Sequence, residues 1–146
     1  MTLKKNDCIE LTITGMTAQG SGVGRYAGIA VFVANTAVGD RLKVKIIKTS
    51  KNYVIGKIEE ILTPSPARIP ADCEAFKSCG GCVYRHIGYE SELAIKEQRV
   101  KDALARIGGF TQIRVDLIIG APNTEGYRDK AQFPAGRGKD GRLLFG

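Results

Sequence analysis

The sequence predicts a mainly β protein with one long helix: a small closed barrel of five strands over residues 1–62, a proline-rich linker over 63–72, and an incomplete α+β unit over 73–146. Three observations carry this reading. Short β-branched runs separated by glycine turns fill the first sixty or so residues. Three prolines, Pro64, Pro66 and Pro70, then interrupt the chain. In the second half a single stretch of helical spacing, about residues 90–107, stands beside a cluster of cysteines.

The strands follow in order. In "CIELTITG", Ile9, Leu11 and Ile13 alternate with polar neighbours, the period of a half-buried strand. "GVGRY" is a short strand between turns, and "GIAVFVA" is an apolar, β-branched run after a turn. "DRLKVKII" alternates most cleanly, with Leu42, Val44 and Ile46 on one side and Arg41, Lys43 and Lys45 on the other. "NYVIGKIEEIL" completes the set. Glycines at 20–24, 28 and 39 mark the turns. Five short antiparallel strands in about sixty residues suit an OB-type barrel, whose closure removes the exposed sheet edges. "GSGVGR" has the look of a nucleotide loop, but a strand follows it where a phosphate cradle needs a helix start, so no dinucleotide site is expected.

Three prolines in "TPSPARIP" exclude a helix or central strand there. Beyond the cysteines, Leu93, Val100, Leu104 and Ile107 recur at helical spacing, and Gly108-Gly109 ends the run. "IRVDLIIG" reads as a strand, and "GYRDKAQFPAGRGKDGRLLFG" as two strands around a turn at 136–141. The chain stops just after the apolar "LLF", so the second unit reads as unfinished.

Composition is that of a globular protein, with 43% hydrophobic and 25% charged residues. No apolar run is long enough to cross a bilayer, and the N-terminus lacks the apolar core of a signal peptide, so a cytoplasmic location is expected. The net charge of +7 is spread along the chain: nine Lys and Arg face five Asp and Glu in residues 1–62, and thirteen face ten in the remainder. Such a balance favours a polyanionic partner. The cationic side of Arg41, Lys43 and Lys45, with Arg25, Tyr26 and Tyr53 nearby, is a candidate face for single-stranded nucleic acid, against the plainer reading of a solvated strand face. Lys130, with Arg128, Arg137, Lys139 and Arg142, forms a second basic set. No catalytic triad, zinc-protease motif or carboxylate pair is present.

The cysteines are the most specific signal. Cys73, Cys79 and Cys82 form C-x5-C-x2-C, with His86 four residues further on. Without a secretory signal this pattern points to metal binding or redox chemistry rather than disulfides. Thiolates select zinc or iron–sulfur clusters. His86 would complete a zinc set, and a fourth cysteine a 4Fe–4S set. Cys8, at the head of the first strand, is expected to be packed, and His86 is more readily a packing or capping residue than a ligand.

Taken in order, these features resemble a known family. "GSGVGRYAGIAVFVANTAVGD" resembles the TRAM domain, an OB-like RNA-binding barrel. "CEAFKSCGGCVYRHIGYESELAIK" resembles the cluster-binding segment of SAM-dependent RNA uracil-C5 methyltransferases of the ribosomal-RNA type, and "GYRDKAQFP" a segment of their central domain. The resemblance implies that Cys73, Cys79 and Cys82 hold a 4Fe–4S cluster, that the partner is structured RNA (ribosomal before transfer RNA), and that the parent methylates C5 of uridine. It also implies that the fourth cluster cysteine, the catalytic cysteine and the SAM-binding domain lie C-terminal to these residues, so this chain alone is expected to be inactive. A standalone RNA-binding protein with zinc on Cys73, Cys79, Cys82 and His86 is the alternative, and a small iron–sulfur redox protein a third.

Overall fold

A computed structural model describes residues 3–127, 129–130 and 132–145. Arg128 of the second basic set lies outside them. Six strands build the first half: β1 (Cys8–Thr12), β2 (Gly15–Met16), β3 (Gly22–Tyr26), β4 (Ile29–Val33), β5 (Arg41–Thr49) and β6 (Tyr53–Thr63). The sheet runs β1-β5-β6-β4-β3-β2, with β4 and β6 parallel and the other pairs antiparallel. The five expected strands are present, but they are not all antiparallel as expected, because β4 and β6 run side by side in the same direction, and the short β2 is additional. It is also what closes the barrel. Only Ile13 and Thr14 separate β1, on β5, from β2, on β3, so one bent segment pairs with both ends of the sheet. The Thr14 amide donates to Val23 O at 2.8 Å across that seam.

Inside lie Ile9, Leu11, Ile13, Val31, Val33, Leu42, Val44, Ile46 and Val54. They are the inward members of the alternating patterns, as period-2 side-chain placement requires. Gly24 sits where β3 crosses β1 closely. A Cβ there would fall 2.6 Å from Thr12 O and 2.7 Å from Leu11 Cγ. The glycine is a contact-distance requirement within a strand, not part of a phosphate loop. Cys8 corrects an expectation: it is exposed. Burial alternates along β1, so Cys8 shares the outer face with Glu10 and Thr12 while Ile9 and Leu11 point in.

The proline-rich segment returns to the barrel. Ile69 N donates to His86 O at 3.1 Å and Gly88 N to Ala67 O at 2.9 Å, around an antiparallel bridge between Arg68 and Ile87. The cysteine loop is therefore closed at its base. It carries a single-turn helix, α1 (Phe76–Cys79), ended by Gly80 at φ +68°. The long helix α2 (Tyr89–Arg106) matches the expected 90–107 closely. Its first turn holds Glu90 and Glu92 and its last Arg106, both favourable to the helix dipole. Pairs Lys96–Glu92 and Lys101–Glu97 brace its surface. None of its residues is fully buried.

No strand forms at 113–120, contrary to the reading of "IRVDLIIG". A strand needs a neighbour to take its backbone hydrogen bonds, and among the described residues none lies alongside. Tyr89 Oη instead accepts a hydrogen bond from Ala121 N at 2.7 Å, which ties the end of this segment to α2. The expected hairpin does form, with Gly136 and Arg137 in the strand and not in the turn: β7 (Ala135–Arg137) pairs antiparallel with β8 (Leu143–Phe145). Ile107, Leu117, Ile119, Phe133 and Phe145 are exposed across this half. Among the described residues, no helix is long and apolar enough to cross a membrane.

Candidate nucleic-acid interface

Strand register sorts the outer surface of the barrel into rows. Arg25, Ala30 and Tyr53 are consecutive partners across β3, β4 and β6. In the next row Val23, Phe32, Ile55 and Lys48 are partners across β3, β4, β6 and β5. Lys45 and Lys57 pair beyond it. An apolar and aromatic patch on the outside of the barrel is thus bordered by Arg25, Lys45, Lys48 and Lys57. Phe32 and Tyr53 meet edge to face, their centroids 5.6 Å apart at 67°. That is a favourable aromatic arrangement and it fixes the Phe32 ring.

The cationic stripe read from β5 divides here. Arg41 is bound to Glu10 at 2.7 Å, and Lys43 lies between Glu10 and Glu60 as cross-strand partners. This end of the stripe is compensated by carboxylates. Lys45, opposite Cys8 and Lys57, has no carboxylate partner among the described residues, and it joins the border of the apolar patch. Arg25 is exposed on the same face and donates to Gly28 O at 3.1 Å. Lys130 is exposed in the C-terminal half and belongs to a different part of the chain. Sequence reasoning missed Phe32, Ile55, Lys48 and Lys57. The available signal was Phe32 itself, a large ring out of phase with the inward Val31 and Val33.

At one end of the barrel the linker docks through a buried carboxylate. Asp40 has no exposed surface. It accepts hydrogen bonds from Ala37 N at 2.7 Å, Ser65 N at 2.9 Å, and Arg68 Nε and Nη2 at 2.8 and 2.7 Å. Arg68 also donates to Asn35 O at 3.0 Å. Burial alone would raise the Asp40 pKa. The Arg68 guanidinium and the two amides outweigh it and hold the carboxyl below its ordinary range.

His86 docks beside this pair. Its Nε2–H donates to the Thr36 carbonyl at 3.1 Å, and its ring lies 5.4 Å from that of Phe76 in α1. Nδ1 is buried with no partner among the described residues. Burial pushes the imidazole pKa down, with the Arg68 cation adding to it against the Thr36 carbonyl and Asp40. His86 therefore packs against the barrel, as the plainer reading expected.

Cys73, Cys79 and Cys82 sit exposed on the loop that these contacts pin. Arg85 clamps that loop, donating to both Asp72 oxygens at 2.6 and 2.9 Å. Three thiols on one short loop have the donor chemistry of a zinc or iron–sulfur site. Among the described residues no three His, Cys, Asp or Glu side chains stand together as a metal-holding group, so the donors fit in kind while the ligand set is not drawn together.

Comparison with known proteins agrees with this architecture. The family model described as TRAM domain matches residues 3–58. These residues are a TRAM domain. Over nearly its whole length, barrel included, the chain is 41% identical over 143 residues to an uncharacterized RNA methyltransferase of Synechocystis, covering 98% of this chain and 31% of that protein. A second uncharacterized RNA methyltransferase, from Clostridium tetani, is 41% identical over 144 residues, covering 99% of this chain and 31% of its own length. The chain spans about a third of the length of the curated relatives it matches. Among solved structures, a Pyrococcus abyssi tRNA (uracil-54, C5)-methyltransferase with S-adenosyl-L-homocysteine matches 65% of this chain and 21% of its own, at 22% identity and a TM-score of 0.44.

Proposed function

We propose that this chain is the RNA-binding, cluster-carrying portion of a SAM-dependent RNA uracil-C5 methyltransferase acting on ribosomal RNA. The observation that carries the RNA part is the outer face of the TRAM barrel, where Arg25, Lys45, Lys48 and Lys57 border an aromatic and apolar patch. Cations of this kind displace counterions from a phosphate backbone, and an exposed ring offers a face to an unstacked base. Methyl transfer, SAM and the reacting cysteine belong to the remainder of the parent, and this chain supplies binding and orientation.

In this reading Cys73, Cys79 and Cys82 hold an iron–sulfur cluster whose fourth thiolate comes from outside these residues. When bound, the cluster cross-links the loop and stiffens it. The zinc alternative has less support, because the His86 ring is buried against Phe76 while the three cysteines are exposed. Two measurements test the proposal. Binding to a fluorescein-labelled ribosomal RNA hairpin should weaken linearly in log K against log salt, and Lys45→Glu with Lys57→Glu should weaken it about ten-fold or more. Undetectable RNA binding at low salt refutes the RNA reading. Zinc without iron or sulfide after anaerobic purification refutes the cluster.

A further inference from the structure

A groove of about 610 Å³ lies on the outer face of the barrel, between the β2–β3 loop and β6. Phe32, Ile47 and Ile55 supply apolar surface, Gln19 and Asn35 supply amides, and Lys57 lies at its border. We propose that this groove seats one unpaired nucleobase of the bound RNA. The proposal rests on the RNA-binding reading above and adds the class of RNA feature recognised.

Four properties of the groove favour a base over an apolar protein segment. First, the Phe32 ring is held by its edge-to-face contact with Tyr53, so a stacking surface exists before any ligand arrives. Second, the side-chain amides of Gln19 and Asn35 make no hydrogen bond among the described residues. Each offers a donor and an acceptor, as the edge of a base requires. Third, no residue lining the groove is a carboxylate, while Lys57 lines it and Lys48 is the cross-strand partner of Ile55. Lys57 does approach Glu59 at 3.6 Å, but that pair is exposed and of small worth. An apolar protein segment would leave these amides and cations desolvated or idle; a nucleotide engages all three kinds of group.

The fourth property is the support of the wall. Gly20 lies against Val83 of the cysteine loop, so closely that a Cβ would fall 1.9 Å from Val83 Cγ1. The β2–β3 loop that carries Thr17, Gln19 and Ser21 into the groove is therefore backed by the cysteine loop. A preformed wall loses less freedom when the base enters.

The test compares a single-stranded 12-mer RNA with a 12-base-pair RNA duplex by fluorescence anisotropy, using the intact chain and its Phe32→Leu and Gln19→Ala variants. Both variants should lose single-strand affinity, Phe32→Leu by about ten-fold, the range of one base stacked on an aromatic ring, and keep duplex affinity. A 4-thiouridine 12-mer should cross-link to the segment containing Phe32 or Tyr53 on the wild-type chain. Wild-type binding that neither variant changes, with cross-links elsewhere, overturns the base seat while leaving RNA binding in place. No RNA binding by the wild type overturns both. Gln19 is exposed and outside the core, so its variant decides the matter even where Phe32→Leu weakens the fold.

Discussion

Replacing Arg68 with methionine keeps most of the side-chain bulk and removes the cation. Asp40 then loses the hydrogen bonds from Nε and Nη2 at 2.8 and 2.7 Å and retains only the Ala37 and Ser65 amides. A carboxylate with no exposed surface has no water to replace them. Removing one partner of a buried pair costs about 3–5 kcal/mol. The lower end applies here, because the Arg68 side chain keeps 19% exposure and two amides remain on Asp40. For a domain of this size a loss of about 3 kcal/mol lowers Tm by roughly 12–24 °C. Thermal melts followed by circular dichroism read this directly. The pH dependence gives a second check. The folded-state pKa of Asp40 is depressed, so its contribution is complete above about pH 4, the ordinary carboxylate value, and is lost as pH falls through the lower folded value. The gap between wild type and Arg68→Met should be widest near neutrality and close in acid. A gap below about 1 kcal/mol, the range of an exposed pair, or one unchanged into acid, would refute the reasoning.

Three further outcomes are expected. Gly24→Ala should destabilise by about 1–3 kcal/mol in urea unfolding with an unchanged m-value, since its Cβ meets Thr12 O at 2.6 Å. His86 is the only histidine, and burial, the largest influence on it, depresses its pKa. Its contribution to stability is full above the unfolded value of about 6.5 and declines as pH drops below that toward the folded value. Melts of His86→Gln at pH 7.5 and 5.5 should therefore differ less than those of the wild type. All four cysteines are exposed, so iodoacetamide should modify each without denaturant, and anaerobic loading with iron and sulfide should shield Cys73, Cys79 and Cys82 but not Cys8, read by mass spectrometry.

What could be read from the sequence was what has a local period. Leu42, Val44 and Ile46 against Arg41, Lys43 and Lys45 declared β5 and its two faces, and spacing alone declared α2. The Cys8 error was avoidable, since the alternation that buries Ile9 and Leu11 places Cys8 outside. The rest depended on register. Glu10 and Glu60 compensate Lys43 only because of which residues pair across β1, β5 and β6, and no periodicity within β5 carries that information. Nor does local pattern link Asp40 to Arg68, 28 residues apart. "IRVDLIIG" has a strand's composition, but a strand also needs a partner.

The contacts between barrel and cysteine loop argue for a folding unit larger than the matched domain. The family model ends at residue 58, and β6 ends at Thr63. Yet Asp40, inside those bounds, is satisfied by Ser65 and Arg68, outside them. Thr36 receives His86, and Gly20 packs on Val83. A chain ending at residue 62 would keep the apolar core but leave a buried carboxylate with the Ala37 amide alone, and so should melt well below one extended to Ile87. Extending only to Ile69 should recover most of the difference, because it restores both Asp40 partners. The remainder, regained between Ile69 and Ile87, would measure what the His86 and Val83 contacts contribute. If residues 1–62 were as stable as the longer chains, the linker would be a tether and the Asp40–Arg68 pair energetically idle. The buried, fully hydrogen-bonded geometry of that carboxylate argues for the opposite result: the barrel and the base of the cysteine loop fold as one.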